Sequence, residues 1–346
     1  MSSTDCAIEA RQLVKTYAVP GRHSNKHGIR ALDGLDLSVP RGAVYGLLGP
    51  NGAGKSTTVK ILTSRARPDA GSACVEGIDV LAQPGQVRHV IGVVAQRSGA
   101  DPTATGRENL ILQGRLYGLP GGSARARADE LLDHFGLTEA AGRLVRTYSG
   151  GMQRRLDVAL GLMHRPAVLF LDEPTTGLDP ESRTAMWQEI ARLAGGEGMT
   201  VLLTTHYLEE ADRLASQLAI VDRGRVVATG TPDGLKGQLR GDAVQVTLPA
   251  GADAGLVRTV LAGLPEVRDV VIAGRNVSAR SDDGAAAVPV VLGALQRAGI
   301  YAASVAVARP SLDDVYLRHT GRRYSESATP DRNGSHDERD LVEASK

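Results

Sequence analysis

The nine residues "GPNGAGKST" at 49–57 decide the fold of this 346-residue chain. They match the pattern G-x-x-x-x-G-K-S/T and follow the apolar run "AVYGLL" at 43–48, which predicts a buried strand. A helical run from Thr57 to Thr63 comes next. Glycines let backbone N–H groups close around phosphate oxygens, and a helix N-terminus adds its positive dipole end. We therefore predict a phosphate-binding loop made of Gly49, Pro50, Asn51, Gly52, Ala53, Gly54, Lys55, Ser56 and Thr57.

Two side chains of this loop and two carboxylates further along the chain carry the predicted chemistry. Lys55 would reach the β- and γ-phosphates of a nucleotide, and Ser56 would ligate Mg²⁺. The apolar run "VLFLDEP" at 168–174 ends on Asp172, which could hold Mg²⁺ through water, and on Glu173, a candidate general base. Adjacent carboxylates after a buried strand are costly unless a cation offsets their repulsion. A helix-capping acid pair is the alternative.

Two further polar residues end predicted strands. Gln96 ends "VIGVVAQ" at 90–96, and His206 ends "VLLTTH" at 201–206. In an open α/β sheet, ligands bind outside the carboxyl ends of the strands, so both residues should share the edge that carries the phosphate loop. Gln96 could ligate Mg²⁺ or orient water, and His206 could donate to the γ-phosphate. Taken singly, either residue could be structural.

Composition describes an ordinary globular protein with 42% hydrophobic and 23% charged residues and a net charge of +1. The balanced charge gives no field that would draw the protein onto nucleic acid. Its two cysteines, Cys6 and Cys74, form no CxxC motif and indicate a reducing cytosol. No secretion signal is evident, and no apolar run reaches about 18 residues. We therefore expect another chain to span the membrane if this protein acts there.

The alternation of apolar strands and helices predicts an α/β fold with a parallel sheet covered on both faces. We expect a nucleotide-binding domain at 1–232 that contains a helical subdomain at about 98–160. A linker-like stretch follows at 233–242. Residues 243–321 have a strand-helix-hairpin-helix-strand order, which predicts a small α+β domain of the ferredoxin-like kind. The polar residues 322–346 should form a disordered tail.

A basic segment, "AVPGRHSNKHGIR", interrupts the first predicted strands at 18–30. A solvated surface loop is the main interpretation. Contact with acidic lipid headgroups is the alternative, because clustered basic side chains are attracted to anionic membrane surfaces.

The ordered set of "GPNGAGKST", Gln96, "YSGGMQ" (148–153), "FLDEP" (170–174), "GLDP" (177–180) and His206 resembles the nucleotide-binding subunits of ATP-binding-cassette (ABC) transporters. The resemblance covers roughly residues 8–235. It implies a P-loop ATPase that uses ATP and Mg²⁺ and works as a homodimer. It also implies a peripheral position at the cytoplasmic face of the cell membrane, on a separate integral permease, without nucleic acid.

The stretch "TYSGGMQRR" at 147–155 acquires a role through this resemblance. In the family, the loop formed here by Ser149, Gly150 and Gly151 grips the γ-phosphate of ATP held by the partner subunit. The family's motif usually begins with Leu and ends with Gln, whereas this chain has Tyr148 and Met152 in those places, with a glutamine one residue late. The departure concerns the fine geometry of the loop.

Two more residues take roles from the same resemblance. Tyr17 matches the aromatic residue that stacks on adenine, and Asp179 is the polar member of the loop that crosses the dimer interface. Two ATP molecules would then hold two copies of the chain together, and hydrolysis would release them.

A narrower resemblance rests on "GRENL" (106–110), "GRLYGL" (114–119), "TTHYLEEAD" (204–212) and "PSLDDVYLRHTG" (310–321). Together these look like the daunorubicin-resistance type of ATP-binding subunit, which implies export of a hydrophobic drug or antibiotic. For "LDDVYL" alone, an ordinary docked C-terminal helix is the alternative. The other functions considered are a soluble ABC-type ATPase acting on ribosomes or DNA, a subunit of a lipid or polysaccharide exporter, and a P-loop GTPase, for which the chain has no NKxD motif.

Overall fold

A computed structural model of the chain describes residues 6–18, 28–239, 241–322 and 324. The strands in these ranges are β1 Cys6–Tyr17, β2 Ile29–Pro40, β3 Val44–Leu48, β4 Ala70–Val75, β5 Ile78–Asp79, β6 Ile91–Val94, β7 Val168–Asp172, β8 Thr200–Thr205, β9 Gln217–Asp222, β10 Arg225–Gly230, β11 Asp242–Thr247, β12 Arg268–Ala273, β13 Asn276–Ser281 and β14 Ser304–Ala308. The α-helices there are α1 Lys55–Leu62, α2 Pro84–Val90, α3 Gly106–Leu116, α4 Gly121–His134, α5 Gly150–Leu162, α6 Pro180–Glu197, α7 Leu208–Leu214, α8 Pro232–Gly237, α9 Ala254–Ala262, α10 Gly284–Arg297 and α11 Leu312–Thr320. Most of the basic segment at 18–30 lies outside the described residues.

The central sheet has the order β10-β9-β3-β8-β7-β6. Its strands pair in parallel except for β10, which forms a hairpin with β9. Strands β3 and β8 are buried along their whole length, and β7 is buried up to its last residue. Burial on both faces explains why these strands are continuously apolar in sequence. The predicted α/β class is confirmed, and the carboxyl ends of β3, β7 and β8 share one edge.

A second sheet, with antiparallel pairing and the order β2-β1-β4-β5, covers one face of the central sheet. The sequence did not predict this separate sheet. Its apolar side joins α1 and the central sheet in one core, which includes Ile8, Leu35, Val59, Leu62 and Phe170. The second sheet therefore packs against α1, the helix that follows the phosphate loop.

The opposite face of the central sheet packs against helices α3 to α6. A capping box at Thr105 and Glu108 begins α3, and such boxes satisfy backbone N–H groups that a helix leaves unpaired. The shared core includes Leu110, Leu131 and Trp187. In the described part of the chain, no helix is long and apolar enough to cross a bilayer.

The C-terminal elements form an antiparallel sheet with the order β12-β13-β11-β14. Helices α9 and α10 cover one face through a core that includes Val244, Val257, Val277 and Val291. This is the strand order of the predicted ferredoxin-like arrangement. The exact boundaries of the linker and the accessory domain stay a prediction.

Helix α11 contains the "LDDVYL" segment and packs on the central sheet. A capping box of Ser311 and Asp314 begins this helix. Its apolar side lies in one core with Leu48, the last residue of β3, and with Ile220 of β9. On its other side, Asp314 forms an ion pair of 3.2 Å with Arg280 of β13, and both side chains are about 95% buried or more. The helix therefore connects the C-terminal sheet to the central sheet.

The prediction of a disordered tail from residue 322 is wrong for its first residues. Arg322 donates a hydrogen bond of 2.7 Å to Asp222. The ring of Tyr324 is buried and stands edge-on to Tyr316 with centroids 5.0 Å apart. The segment is polar on average, but its Tyr324 is a buried aromatic side chain that packs against Tyr316 of α11. Residues 325–346 lie outside the described residues.

A candidate nucleotide site at the carboxyl edge of the central sheet

The phosphate loop connects the end of β3 to the first turn of α1. Gly52 and Gly54 adopt φ values of +80° and +111°. A Cβ at Gly54 would also lie 2.6 Å from the carbonyl oxygen of Ala31. Only glycine meets both requirements at Gly54 without strain, so the local sequence builds the turn that the phosphate-loop pattern predicts.

Lys55 presents a buried ammonium group inside this loop. The residue is 4% exposed, and its Nζ donates to the carbonyl oxygens of Gly49 at 2.7 Å and Pro50 at 3.1 Å. Nζ also lies 3.7 Å from Oε1 of Glu173. Burial lowers the pKa of Lys55, and the charges of Glu173 and Asp172 oppose that shift. The loop thus holds a cation in low dielectric, where an anionic phosphate would be strongly attracted.

Two of the three predicted metal ligands, Ser56 and Asp172, meet beside Lys55. Oγ of Ser56 donates to Oδ1 of Asp172 at 3.1 Å, and Oγ1 of Thr204 donates to the same oxygen at 2.6 Å. Among the described residues, no cluster of three or more His, Cys, Asp and Glu side chains could hold a metal ion. Mg²⁺ usually takes one or two protein oxygens together with substrate phosphates and water. The pair of Ser56 and Asp172 fits that kind of ion.

Glu173 occupies a strained backbone conformation with φ of 49°, of a kind that costs about 1–3 kcal/mol and concentrates at functional sites. Its N–H donates to Oγ1 of Thr204 at 3.0 Å. Oε1 lies 3.1 Å from Nδ1 of His206, and Oε2 accepts from Nε2 of Gln96 at 3.2 Å. His206 first, and then Lys55, hold the pKa of Glu173 below its ordinary value despite burial. The carboxylate is therefore ionised at neutral pH, as a general base requires.

These groups line one cavity of about 590 Å³, a size within the range of small-molecule sites. Its lining residues are Tyr17, Ile29, Ala31, Asn51, Gly52, Ala53, Gly54, Lys55, Ser56, Thr57, Gln96, Glu173, Thr176 and His206. Tyr17 is 38% exposed, so part of its aromatic side chain is accessible to a ligand. The structure therefore brings the predicted phosphate, base and aromatic residues to one place.

The Ser149 loop lies elsewhere and does not line this cavity. Ser149 is the N-cap of α5, and its Oγ accepts from the N–H of Met152 at 3.3 Å. A Cβ at Gly151 would lie 2.6 Å from Oγ of Ser182 in α6. Asp179 caps that same helix through the N–H of Ser182 at 2.9 Å. The Ser149 loop and Asp179 thus lie at neighbouring helix starts, apart from the phosphate cavity of their own chain.

Comparisons with known proteins agree with this geometry. Residues 32–176 match the ABC transporter family. The chain is 49% identical over 314 residues to the daunorubicin resistance ATP-binding protein DrrA2 of Streptomyces coeruleorubidus, covering 90% of this chain and 95% of that protein. It is 45% identical to the daunorubicin/doxorubicin resistance ATP-binding protein DrrA of Streptomyces peucetius, covering 93% and 95%.

The chain is an ABC ATP-binding subunit of the daunorubicin-resistance type. Among solved structures, it resembles a dimeric ATP-binding cassette in a post-hydrolysis state bound to ADP and Pi, with a TM-score of 0.59 and 26% identity over 65% of this chain and 98% of that one. As a member of the ABC family, the chain binds ATP and hydrolyses it.

Two residues that flank the Ser149 loop of this subunit, Tyr148 and Met152, depart from the family's usual pattern. Tyr148 is buried, and its hydroxyl donates to the carbonyl oxygen of Ala140 at 2.7 Å. Gly106 leaves the space for that hydroxyl, since a Cβ there would lie 2.3 Å from it. Met152 packs partly buried against the same helical core. Both residues support the helical segment, and Ser149 and Gly150 remain at the start of α5.

Sequence reasoning missed two threonines of the ABC site. Thr204 supports Asp172 and Glu173 together, and Oγ1 of Thr176 donates to Oε2 of Glu173 at 3.3 Å. Thr204 lies in β8, two residues before His206. It stands opposite Asp172 of β7 in the sheet, and the sequence carries no local signal of that pairing.

Proposed function

We propose that this subunit couples ATP binding and hydrolysis to export of a hydrophobic drug or antibiotic through a separate membrane permease. It would act as a homodimer at the cytoplasmic face of the membrane. The observation that carries the proposal is the separation of the Ser149 loop from the phosphate cavity within one chain. A loop of that composition at a helix start suits a phosphate, and a second copy of the chain would bring one to it.

The chemistry follows from the residues of the cavity. Lys55 would bind the β- and γ-phosphates, and Glu173 would take a proton from the attacking water as that water bonds to the γ-phosphorus. The bond to the β-phosphate oxygen then breaks, which gives ADP and phosphate. His206 would donate to the γ-phosphate, and Gln96 would orient the water. Ser56, Asp172 and Gln96 would hold Mg²⁺, which neutralises phosphate charge when bound.

The dimer would place the Ser149 loop of one copy against the nucleotide held by the other. Tyr17 would stack on the adenine, and Asp179 would lie across the interface. Each ATP then contacts both copies, so ATP binding favours the closed dimer and loss of the γ-phosphate favours its opening. This cycle is the mechanical step that a permease could use.

The export direction is supported by the relatives. The resistance proteins of Streptomyces align with 95% of their own length. The linearmycin resistance ATP-binding protein LnrL of Bacillus subtilis is 37% identical over 84% of this chain and 93% of that protein. For a subunit that powers a transporter, conferring resistance to an antibiotic means that the transporter carries the compound outward.

Replacement of Glu173 with Gln tests the ATPase cycle. The amide keeps the shape of the side chain and loses the base, so the rate should fall by about 10²–10⁴-fold. With ATP and Mg²⁺ the variant should accumulate as a dimer in size-exclusion chromatography. Lys55→Ala, which weakens nucleotide binding, is the control that should stay monomeric. Full turnover by Glu173→Gln would contradict the assignment of the base.

A pull-down tests the partner. The ATP-loaded Glu173→Gln chain should recover a multi-spanning membrane protein from detergent-solubilised membranes, and the Lys55→Ala chain should recover less of it. Recovery of ribosomes or DNA in place of a membrane protein would favour the alternative of a soluble ABC-type ATPase.

A further inference from the structure

Arg154, to which the stretch "TYSGGMQRR" gave no role, is buried inside the protein. It lies on the second turn of α5 and is 7% exposed. Its guanidinium donates to three backbone carbonyls: Nε to Pro174 at 2.7 Å, Nη1 to Ala95 at 2.6 Å and Nη2 to Asp172 at 3.3 Å. A planar fork of donors is the group that can serve several fixed acceptors at once.

These carbonyls belong to residues that flank the catalytic candidates. Asp172 and Pro174 stand immediately before and after Glu173, and Ala95 immediately precedes Gln96. One side chain of α5 therefore fixes the backbone on both sides of the proposed base and on one side of the glutamine. Arg154 does not line the cavity itself, so its influence on a nucleotide would be indirect.

Asp157 holds the other side of Gln96. It lies one turn further along α5 and is also 7% exposed. Its Oδ1 accepts from Oγ of Ser98 at 2.8 Å and from the N–H of Gly99 at 3.1 Å. The segment that carries Gln96 is thus bound to α5 before the glutamine by Arg154 and after it by Asp157.

Nearby carboxylates stabilise the buried charge of Arg154. The carboxylates that act on the Arg154 guanidinium are those of Asp157, Asp172 and Glu210. Burying a charged group is costly unless it is paired and hydrogen-bonded. The three carbonyls and these carboxylates meet that requirement, so the guanidinium is held in one orientation.

We infer that Arg154 and Asp157 are positioning residues that fix the geometry of Gln96 and Glu173 from α5. Helix α5 begins at the N-cap Ser149. This helix therefore connects the loop that would contact the partner's nucleotide with the two residues that hold Gln96 and Glu173 of the same chain. The inference rests on the proposed function. It adds a physical link between the two ATP sites of the dimer. Contact of the Ser149 loop with the ATP at one site would fix the positions of Glu173 and Gln96 at the other site.

Arg127 provides a matched control. It lies on α4, and its guanidinium also donates to a backbone carbonyl of α5, that of Leu162 at 3.1 Å. Leu162 is the last residue of α5, at the opposite end from the Ser149 loop, and it is not a neighbour in sequence of Gln96 or Glu173. Met and Lys variants at the two arginines therefore compare loss of an arginine with and without the contacts to the site.

The experiment measures kcat, KM for ATP and the thermal midpoint of the purified full chain. Arg154→Met should lower kcat by roughly ten- to a hundredfold, because small displacements of catalytic groups have effects of that size. Its KM should stay within about twofold, since Lys55 and the phosphate loop are unchanged. Arg127→Met should keep kcat within about threefold, even if its thermal midpoint falls as far as that of Arg154→Met.

The lysine variants decide the question if Arg154→Met does not fold. Lys keeps the charge but cannot serve three carbonyls, so Arg154→Lys should lose about fivefold or more in kcat. Arg127→Lys should keep the kcat of the unmodified chain. Equal kcat losses at the two positions, or an Arg154→Lys variant as active as the unmodified chain, would overturn the inference. Glu173→Gln, assayed beside them, separates this failure from failure of the proposed function, because retained activity there would contradict the base itself.

Discussion

Replacement of Gly150 with Asp tests whether the Ser149 loop serves the ATP of a partner subunit. A Cβ at Gly150 meets only Cδ2 of Leu178, at 4.0 Å, so its own chain has room for the side chain. Gly150 is the first residue of α5, where a carboxylate interacts favourably with the helix dipole. Gly151 is unsuitable, because a Cβ there would collide with Ser182.

In the proposed dimer, the new carboxylate would face the γ-phosphate of the partner's ATP. At an effective dielectric near 20, two like unit charges about 4 Å apart repel by roughly 4 kcal/mol, which is about three decades in an equilibrium constant. Gly150→Asn has nearly the same shape without the charge. We therefore expect Gly150→Asp to bind ATP normally and fail to dimerise, and Gly150→Asn to dimerise measurably better than Gly150→Asp.

The assay combines light scattering with a non-hydrolysable ATP analogue and a mixing experiment. Lys55→Ala chains carry an intact Ser149 loop, and Gly150→Asp chains carry an intact phosphate loop. A mixed dimer contains one whole site, so ATPase activity should appear on mixing where neither variant has it alone. Substantial activity of Gly150→Asp by itself as a monomer would refute the reasoning, as would dimerisation equal to that of Gly150→Asn.

Three further outcomes follow from the structure. Tyr324→Ala should destabilise the protein by about 3–5 kcal/mol through a cavity in the core under α11, whereas Tyr324→Phe should cost much less, since it keeps the ring that packs against Tyr316. Urea unfolding measures both, and equal effects would contradict the packing role. Tyr148→Leu, which restores the family's usual residue, should cost about 1–3 kcal/mol because the carbonyl oxygen of Ala140 loses its buried donor; an unchanged unfolding midpoint would count against that bond. His206→Ala should raise the pKa of Glu173 toward its ordinary value. The lowered folded-state pKa of Glu173 gives stability that is present above the unfolded pKa and is lost as pH falls through the folded pKa. The variant should therefore lose less stability when the nucleotide-free protein is acidified. Thermal midpoints at acidic pH measure this loss.

The sequence predicted the elements whose signals are local. Buried parallel strands such as β3 and β7 are continuously apolar, and the phosphate loop is a contiguous pattern whose glycines fix its own turn. The antiparallel sheet of β1, β2, β4 and β5 was missed as a unit because its strands are irregular in register and β5 is two residues long. Helix α2, with seven residues, is too short to show a helical period.

For the candidate site, the sequence by itself determined which side chains could do phosphate chemistry, since Lys55, Asp172 and Glu173 stand in short recognisable patterns. Only the tertiary structure decided how they are held. Arg154 contacts carbonyls 20 and 59 residues away along the chain, and Tyr324 meets α11 and the end of β3 in a core shared with the central sheet. Such contacts leave no periodic or local trace, because their partners come together only when the sheet and helices pack.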